Sequence, residues 1–286
     1  MVGATCLPPA RLHMHEMLMI RLIALDLDQT VIGNDLEVSP RVRQAIAQAR
    51  RGGAVITIAT GREARLAARF ARELGITSPI ICAQGGCIYD LTAEEVLHEV
   101  RLPAASIQKI LESARAHGWN IHFETADRLY FPSESNHPEA LFELLRYSNW
   151  VRVGDLLGDM PELPYKVLIT LNRVEDRARV LAEMRDNLGA DLTAVPSHPH
   201  LIEGVPAGVN KAHGVGWLAG HLGIAQQDTL AIGDSEADIP MLEWAGVGVA
   251  MGNAAPSVKA IADWIAPSLE RDGAAVAIEK FTVAIG

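Results

Sequence analysis

Apolar positions along the chain fall into short unbroken runs separated by segments of helical period. Arg21–Asp28 reads Arg-Leu-Ile-Ala-Leu-Asp-Leu-Asp, a continuous apolar stretch that ends in two carboxylates. A strand without polar alternation is buried on both faces, as in a parallel sheet covered by helices. Ser39-Pro40 then supplies a helix N-cap and a proline at the first helical position, and Gly52-Gly53 the stop. A second apolar strand follows at Ala54–Ala59, then a helix at Arg62–Leu74 ended by Gly75. A third strand, Pro79–Ala83, runs into Gly85-Gly86. This alternation predicts an α/β core with a doubly wound parallel sheet.

The texture changes between about Cys87 and Val195. Candidate strands at Trp119–Glu124, Leu129–Phe131 and Lys166–Leu171 accompany helical patterns at Ala105–His117, Pro138–Leu145 and Val174–Leu188. Antiparallel strands with helices on one face suit this order, which predicts an inserted α+β lid. After Pro206 the first pattern returns, with a helix at Lys211–Leu222 and a strand at Thr229–Ile232 that ends in Gly233-Asp234. A short helix at Ile239–Ala245 and a strand at Val247–Ala250 follow. The expected division is a leader over 1–18, core over 19–86, lid over 87–195 and core again over 196–286. Met14, Met17 and Met19 can each be a start, and the leader is expected to be disordered.

Composition narrows the function classes. The chain has 286 residues, 49% hydrophobic and 21% charged, the balance of a globular protein that can bury a core. A net charge of -10 argues against a nucleic-acid surface, which needs a clustered basic face. No apolar stretch approaches the roughly 20 residues that span a bilayer, and the leader lacks the charged start and sustained apolar run of a signal peptide. Cys6, Cys82 and Cys87 form no CxxC pair, which points to a reduced, cytoplasmic compartment. Nothing in the pattern fixes an oligomeric state.

The chemistry sits at strand ends. Asp26 and Asp28 are two apart after an apolar strand and are expected on one face. Paired carboxylates repel unless a cation or a shared proton intervenes, and ligands gather at the carboxyl ends of strands in such sheets. The plainer reading is a solvated turn. Gly233-Asp234-Ser235-Glu236-Ala237-Asp238 ends another apolar strand. Convergence of Asp26, Asp28 and Asp234 makes an oxygen-rich pocket for a hard divalent cation. Asp238 either ligates directly or holds a metal-bound water; alternatively these acids merely suit a helix N-terminus. Thr60 and the Gly61 amide can donate to a phosphate oxygen, or Thr60 can cap the next helix. Lys211 starts a helix and so opposes its dipole, which favours an anionic partner.

Taken together, Leu25-Asp26-Leu27-Asp28-Gln29-Thr30, Ala59-Thr60-Gly61-Arg62, Gly208-Val209-Asn210-Lys211, Gly233–Asp238 and Val249-Ala250-Met251-Gly252-Asn253-Ala254 resemble the haloacid-dehalogenase superfamily, in its Cof-type sugar-phosphatase branch. The resemblance covers Met19 to about Gly273. It implies a Rossmann-like core with an inserted cap that chooses substrates, and a Mg²⁺-dependent phosphatase acting on a small phosphomonoester. Asp26 would be the nucleophile and a Mg²⁺ ligand. Asp28 would be the general acid–base, with its backbone carbonyl on the metal, and Asp234 the third ligand. Thr60 and Lys211 would hold the phosphoryl oxygens, helped by the amides of Leu27 and Gly61.

Four positions depart from the branch: Gln29 for Gly, Gln84 for Asn, Ala212 for Gly and Ala237 for Asn. Gln29 and Ala237 motivate a weakly active or silent sugar-phosphate binder as one rival. A phosphomutase of the phosphomannomutase type is another, and a phosphoryl-accepting signalling receiver, which lacks the lid and the late GDxxxD loop, a third. His198 and His200 are read as loop or lid residues near a substrate rather than metal ligands, for want of a partner cluster. Glu203 matches a family position without an assigned role. Cys82 is read as a buried, inert thiol.

Overall fold

The computed structural model describes residues 19–126, 128–133 and 150–282. The expected leader and the expected helix at Pro138–Leu145 lie outside them. In chain order the elements are β1 (Leu22–Leu25), α1 (Pro40–Arg51), β2 (Val55–Ile58), α2 (Ala64–Glu73), β3 (Ile80–Cys82), β4 (Cys87–Asp90) and β5 (Glu95–Glu99). Then come α3 (Ala104–His117), β6 (Asn120–Glu124), β7 (Leu129–Pro132), β8 (Trp150–Val153), β9 (Lys166–Thr170), α4 (Arg177–Leu188), β10 (Leu192–His198) and β11 (Leu201–Pro206). The chain continues through α5 (Lys211–His221), β12 (Thr229–Gly233), α6 (Ile239–Trp244), β13 (Val247–Ala250), α7 (Pro256–Ile261), β14 (Trp264–Ile265) and α8 (Gly273–Thr282).

The expected doubly wound core is present. A parallel sheet runs in the order β14-β13-β12-β1-β2, and β3 joins its far edge through a parallel bridge between Ala59 and Ile81. β1 is buried at every residue, as its unbroken apolar run requires. Side chains from α1 and α8 (Val42, Ile46, Ala274, Ile278) fill one face with Ile23 and Leu25. Those from α5 and α6 (Val215, Leu218, Met241, Leu242) fill the other with Leu22 and Ala24. Ser39 caps α1 by accepting from the Val42 amide at 3.1 Å, as its place before Pro40 predicts.

A second sheet has the order β10-β11-β9-β6-β7-β8, antiparallel except for β7 with β8. α3 and α4 cover one face, burying Ile107, Ile110, Val180 and Met184 against Ile121, Phe123, Val167 and Ile169. This is the expected α+β insertion, but its sheet continues to Pro206, past the expected boundary at 195. Pro196, Glu203 and Gly204 break the apolar pattern of β10 and β11, which hides both strands from a periodicity reading. The hairpin β4–β5 was also missed. It pairs antiparallel with β3 and packs Ile88 into the core beneath α5, so the chain after Cys87 is still attached to the core.

Candidate active site

Register decides which side chains meet. Leu25 pairs with Ile58 on one side and Ile232 on the other, so the residues after β1, β2 and β12 emerge on a common edge. Asp26 and Asp234 directly follow their strands, and Thr60 follows β2 by two residues. The Asp26 amide extends the ladder by donating to the Ile232 carbonyl at 2.9 Å, and the Thr60 amide donates to Ile81 at the same distance.

Asp26 is 5% exposed, and its Oδ1 accepts from Lys211 Nζ at 2.6 Å. Lys211 is the first residue of α5, capped by Asn210, whose side chain accepts from the His213 amide at 3.0 Å. The lysine also donates to Asp238 Oδ1 at 2.5 Å. Asp238 is fully buried, and its Oδ2 accepts from the amides of Asp234 (3.0 Å) and Ser235 (2.8 Å) and from the Ser235 hydroxyl (2.8 Å). Thr30 Oγ1 donates to Asp234 Oδ1 at 3.1 Å. One oxygen from each of Asp26, Asp234 and Asp238 lies within 4.8 Å of the others.

One ammonium among these carboxylates leaves the cluster short of positive charge. Burial pushes Asp26 well above the ordinary carboxylate range; Asp238 adds to the rise and Lys211 opposes it. Burial, then Asp238, pushes Asp234 up to about 7, against the hydrogen bond from Thr30. For Lys211, burial disfavours the charge, but Asp238 and Asp26 outweigh it and the ammonium is held more firmly than usual. A divalent cation fits this donor set. Hard ions take carboxylate oxygens, and the strain of close, buried like charges is what such an ion relieves. Asp238 already accepts four hydrogen bonds, so Asp26 and Asp234 are the side chains with capacity left for an ion.

Asp28 behaves differently from its partner two residues earlier. β1 has ended, and the chain turns through Gln29 at φ +60°. The Asp28 side chain is 48% exposed and is gripped by the Arg62 fork, Nε to Oδ2 at 2.8 Å and Nη2 to Oδ1 at 2.7 Å. Arg62 was expected inside a helix. α2 instead starts at Ala64, because the Glu63 carboxylate caps it by accepting from the Arg65 and Leu66 amides. The freed loop turns Arg62 toward Asp28. Thr60 Oγ1 accepts from the Arg62 amide at 3.2 Å. A Cβ on Gly61 would lie 2.4 Å from Gln84 Nε2, so a side chain there would displace the Gln84 amide.

The four departures have distinct fates. Gln29 takes a left-handed conformation usually left to glycine and ties its Nε2 to Asn34 Oδ1 at 2.9 Å. Gln84, at φ +59°, is buried and donates to Glu203 Oε1 at 3.3 Å. Ala212 packs against the apolar cluster beneath α5. Ala237 packs with Val195, Val205 and Val209, which makes that wall of the site apolar.

These groups line a cavity of about 650 Å³ whose opposite wall is Ser197, His198 and Leu201, from β10 and β11 of the second sheet. His198 Nδ1 accepts from the His200 amide at 3.2 Å, and burial lowers its pKa, so the neutral ring carries its hydrogen on Nε2. The His200 ring turns away to the Leu171 carbonyl. Among the described residues, the ligating group close enough to share an ion is the aspartate cluster. Cys82 is buried, and burial holds its thiol well above the usual range. No described helix is long and apolar enough to cross a membrane. Sequence reasoning missed the Arg62–Asp28 grip and the buried Lys166, whose only trace is a lone charge opening the apolar run Lys-Val-Leu-Ile.

The family model for haloacid dehalogenase-like hydrolases matches residues 23–278. Among curated proteins, 5-amino-6-(5-phospho-D-ribitylamino)uracil phosphatase YcsE of Bacillus subtilis is 30% identical, over 92% of this chain and 96% of its own. Phosphatase YwpJ of the same organism is 30% identical, over 90% and 98%. Among solved structures, a haloacid dehalogenase-like hydrolase from Bacteroides thetaiotaomicron is 29% identical with a TM-score of 0.78, covering 91% of this chain and 98% of that one.

Proposed function

Because the chain belongs to the haloacid dehalogenase-like hydrolase family, we propose that it is a phosphatase that cleaves a small phosphomonoester through a phosphoaspartate on Asp26. The observation that carries this reading is the buried Asp26 carboxylate, held between Lys211 and Asp234 at the floor of a cavity.

In this scheme Asp26 attacks phosphorus in line with the leaving oxygen. Lys211, the Thr60 hydroxyl and the amides of Leu27 and Gly61 hold the equatorial oxygens, where charge is stabilised most effectively. Asp28 gives a proton to the departing alkoxide. It then removes one from the water that attacks the phosphoaspartate, which releases phosphate and restores Asp26. Arg62 donates one hydrogen bond to each Asp28 oxygen, which fixes the carboxyl group and leaves each oxygen a second lone pair that can take the proton. The all-oxygen donor set suits Mg²⁺, which would be held by Asp26, Asp234 and the Asp28 carbonyl and would supply positive charge against the phosphoryl group. Asp238 keeps the Asp234 loop and Lys211 in place.

The inserted module, from about Leu102 to Pro206, serves as the cap, and its Ser197, His198 and Leu201 face the leaving group. Sugar phosphates are the first substrates to screen. Polyol phosphates such as 5-amino-6-(5-phospho-D-ribitylamino)uracil join them, because two relatives carry that name. The apolar Ala237 wall keeps a slow enzyme or a silent binder as the second reading. Hydrolysis of p-nitrophenyl phosphate with Mg²⁺ decides: Asp26→Asn is expected to abolish it, and an unchanged rate would sink the mechanism. Assay of free phosphate against isomerised sugar phosphate separates hydrolysis from a mutase.

A further inference from the structure

Lys166 opens β9 and is fully buried, far from the Asp26 cluster in sequence and on the other sheet. Its ammonium donates to Glu203 Oε2 at 2.7 Å and to the Gly61 carbonyl at 2.6 Å, and faces Glu124 Oε1 at 3.3 Å. Glu203 also takes the Gln84 amide. The two glutamates explain how an ammonium can be buried there. The Gly61 carbonyl is neutral and belongs to the core, so charge balance does not account for it.

That carbonyl is one end of a rigid planar unit. The other end is the Arg62 N–H, which donates to Thr60 Oγ1 at 3.2 Å. With its oxygen engaged as an acceptor, the Thr60 hydroxyl is left to donate its own hydrogen elsewhere. The same peptide sets the root of the Arg62 side chain, which grips Asp28. A cation on the carbonyl also polarises the peptide and strengthens its N–H as a donor.

We propose that Lys166 is a positioning residue for catalysis: from the cap sheet it holds the Gly61–Arg62 peptide so that Thr60 presents its hydroxyl and Arg62 presents Asp28 to the phosphoryl site. Cap seating and assembly of the phosphate loop are then one event, since the loop is complete only when β9 is docked. The inference rests on the phosphatase reading above, and Asp26→Asn therefore runs alongside. An undiminished Asp26→Asn enzyme defeats that reading; an inactive one beside a fully active Lys166 variant defeats only this inference.

The test removes the grip without leaving a buried charge. Lys166→Met/Glu203→Gln takes out both members of the ion pair, and the assay is run at about pH 6, below the point where Glu124 ionises. The expected result is a folded protein whose melting temperature still rises with Mg²⁺. Its kcat for p-nitrophenyl phosphate falls about 10- to 100-fold, and inhibition by inorganic phosphate weakens about tenfold, the scale of a misplaced catalytic group. A lysine that merely tied two sheets together would move the melting temperature and leave kcat and phosphate inhibition alone, and that outcome overturns the proposal. If the double variant does not fold, Lys166→Met alone at about pH 5, well below the point where Glu124 ionises, is read by the same two measurements.

Discussion

Glu124 offers a sharp test of the electrostatics of this fold. Its carboxylate is 1% exposed and faces Lys166 from β9, Glu203 from β11 and Glu63 before α2. Burial, against the pull of Lys166 and with the push of Glu203 and Glu63, raises its pKa from 4.5 to about 7. A folded-state pKa above the unfolded one means that the native state binds the proton more tightly. The associated stability is therefore complete below the unfolded value and is lost as pH climbs through the folded one. Each pH unit is worth about 1.4 kcal/mol, so the window from 4.5 to about 7 corresponds to about 3 kcal/mol. Glu124→Gln replaces the protonated acid with a neutral group of the same shape and removes this dependence. At about pH 8 the variant is expected to be more stable than the parent by about 3 kcal/mol, which is on the order of 6–12 °C in melting temperature. At about pH 4.5 most of that advantage should vanish. Asp26 and Asp234 titrate in both proteins and cancel in the difference. Melting curves of the two proteins across this range measure the gap directly. A gap that does not widen with rising pH would show that Glu124 is already ionised in the native state, and the reasoning would fall.

Two further outcomes follow from the site. Mg²⁺ at about a hundred times its dissociation constant should stabilise the native protein by about 2.7 kcal/mol, seen as a rise in melting temperature, and Asp234→Asn should abolish that rise. Without metal, Asp234→Asn should be at least as stable as the parent at about pH 8, because a carboxylate raised to about 7 is ionised there at a cost. At the joint beneath the site, Gly85 sits at φ +97° and a Cβ there would lie 2.0 Å from the Asn210 carbonyl oxygen. Gly85→Ala should therefore cost about 2–3 kcal/mol and lower activity by moving the start of α5, where Lys211 is anchored, as melting and phosphate-release assays will show.

How much of this was legible in the sequence depended on distance along the chain. The unbroken apolar run at β1, the Ser39-Pro40 cap and the glycine stops are local signals, and the parallel core follows them closely. Asp26, Thr60, Lys211 and Asp234 each stand at the end of a recognisable strand or the start of a helix, so their convergence follows from sheet register. β10 and β11 were lost because a proline and a glutamate interrupt their pattern. That glutamate is buried only because Lys166 and Gln84 meet it from other segments. Arg62 was misread as helical because helix propensity runs through it; the Glu63 cap that releases it is a side-chain contact, which periodicity does not register.

The two buried charge clusters also mark where such reasoning must change. Both hold a lysine outnumbered by carboxylates: Lys211 with Asp26, Asp234 and Asp238, and Lys166 with Glu124 and Glu203. Residue types alone would assign them the same chemistry. The difference is access. Asp26 and Asp234 line the cavity, where an ion can enter and a phosphoryl group can share it. Glu203 also reaches that cavity, but Glu124 does not, and a single proton on its carboxylate leaves Lys166 and Glu203 as a balanced pair. Carboxylates open to the cavity are placed to take an ion, whereas one shut away from it is neutralised by a proton. Between the two clusters lies the Gly61–Arg62 peptide, touched by Lys166 on one side and supporting Thr60 and Asp28 on the other. It is a direct physical link between the second sheet and the edge of the core where the aspartates converge.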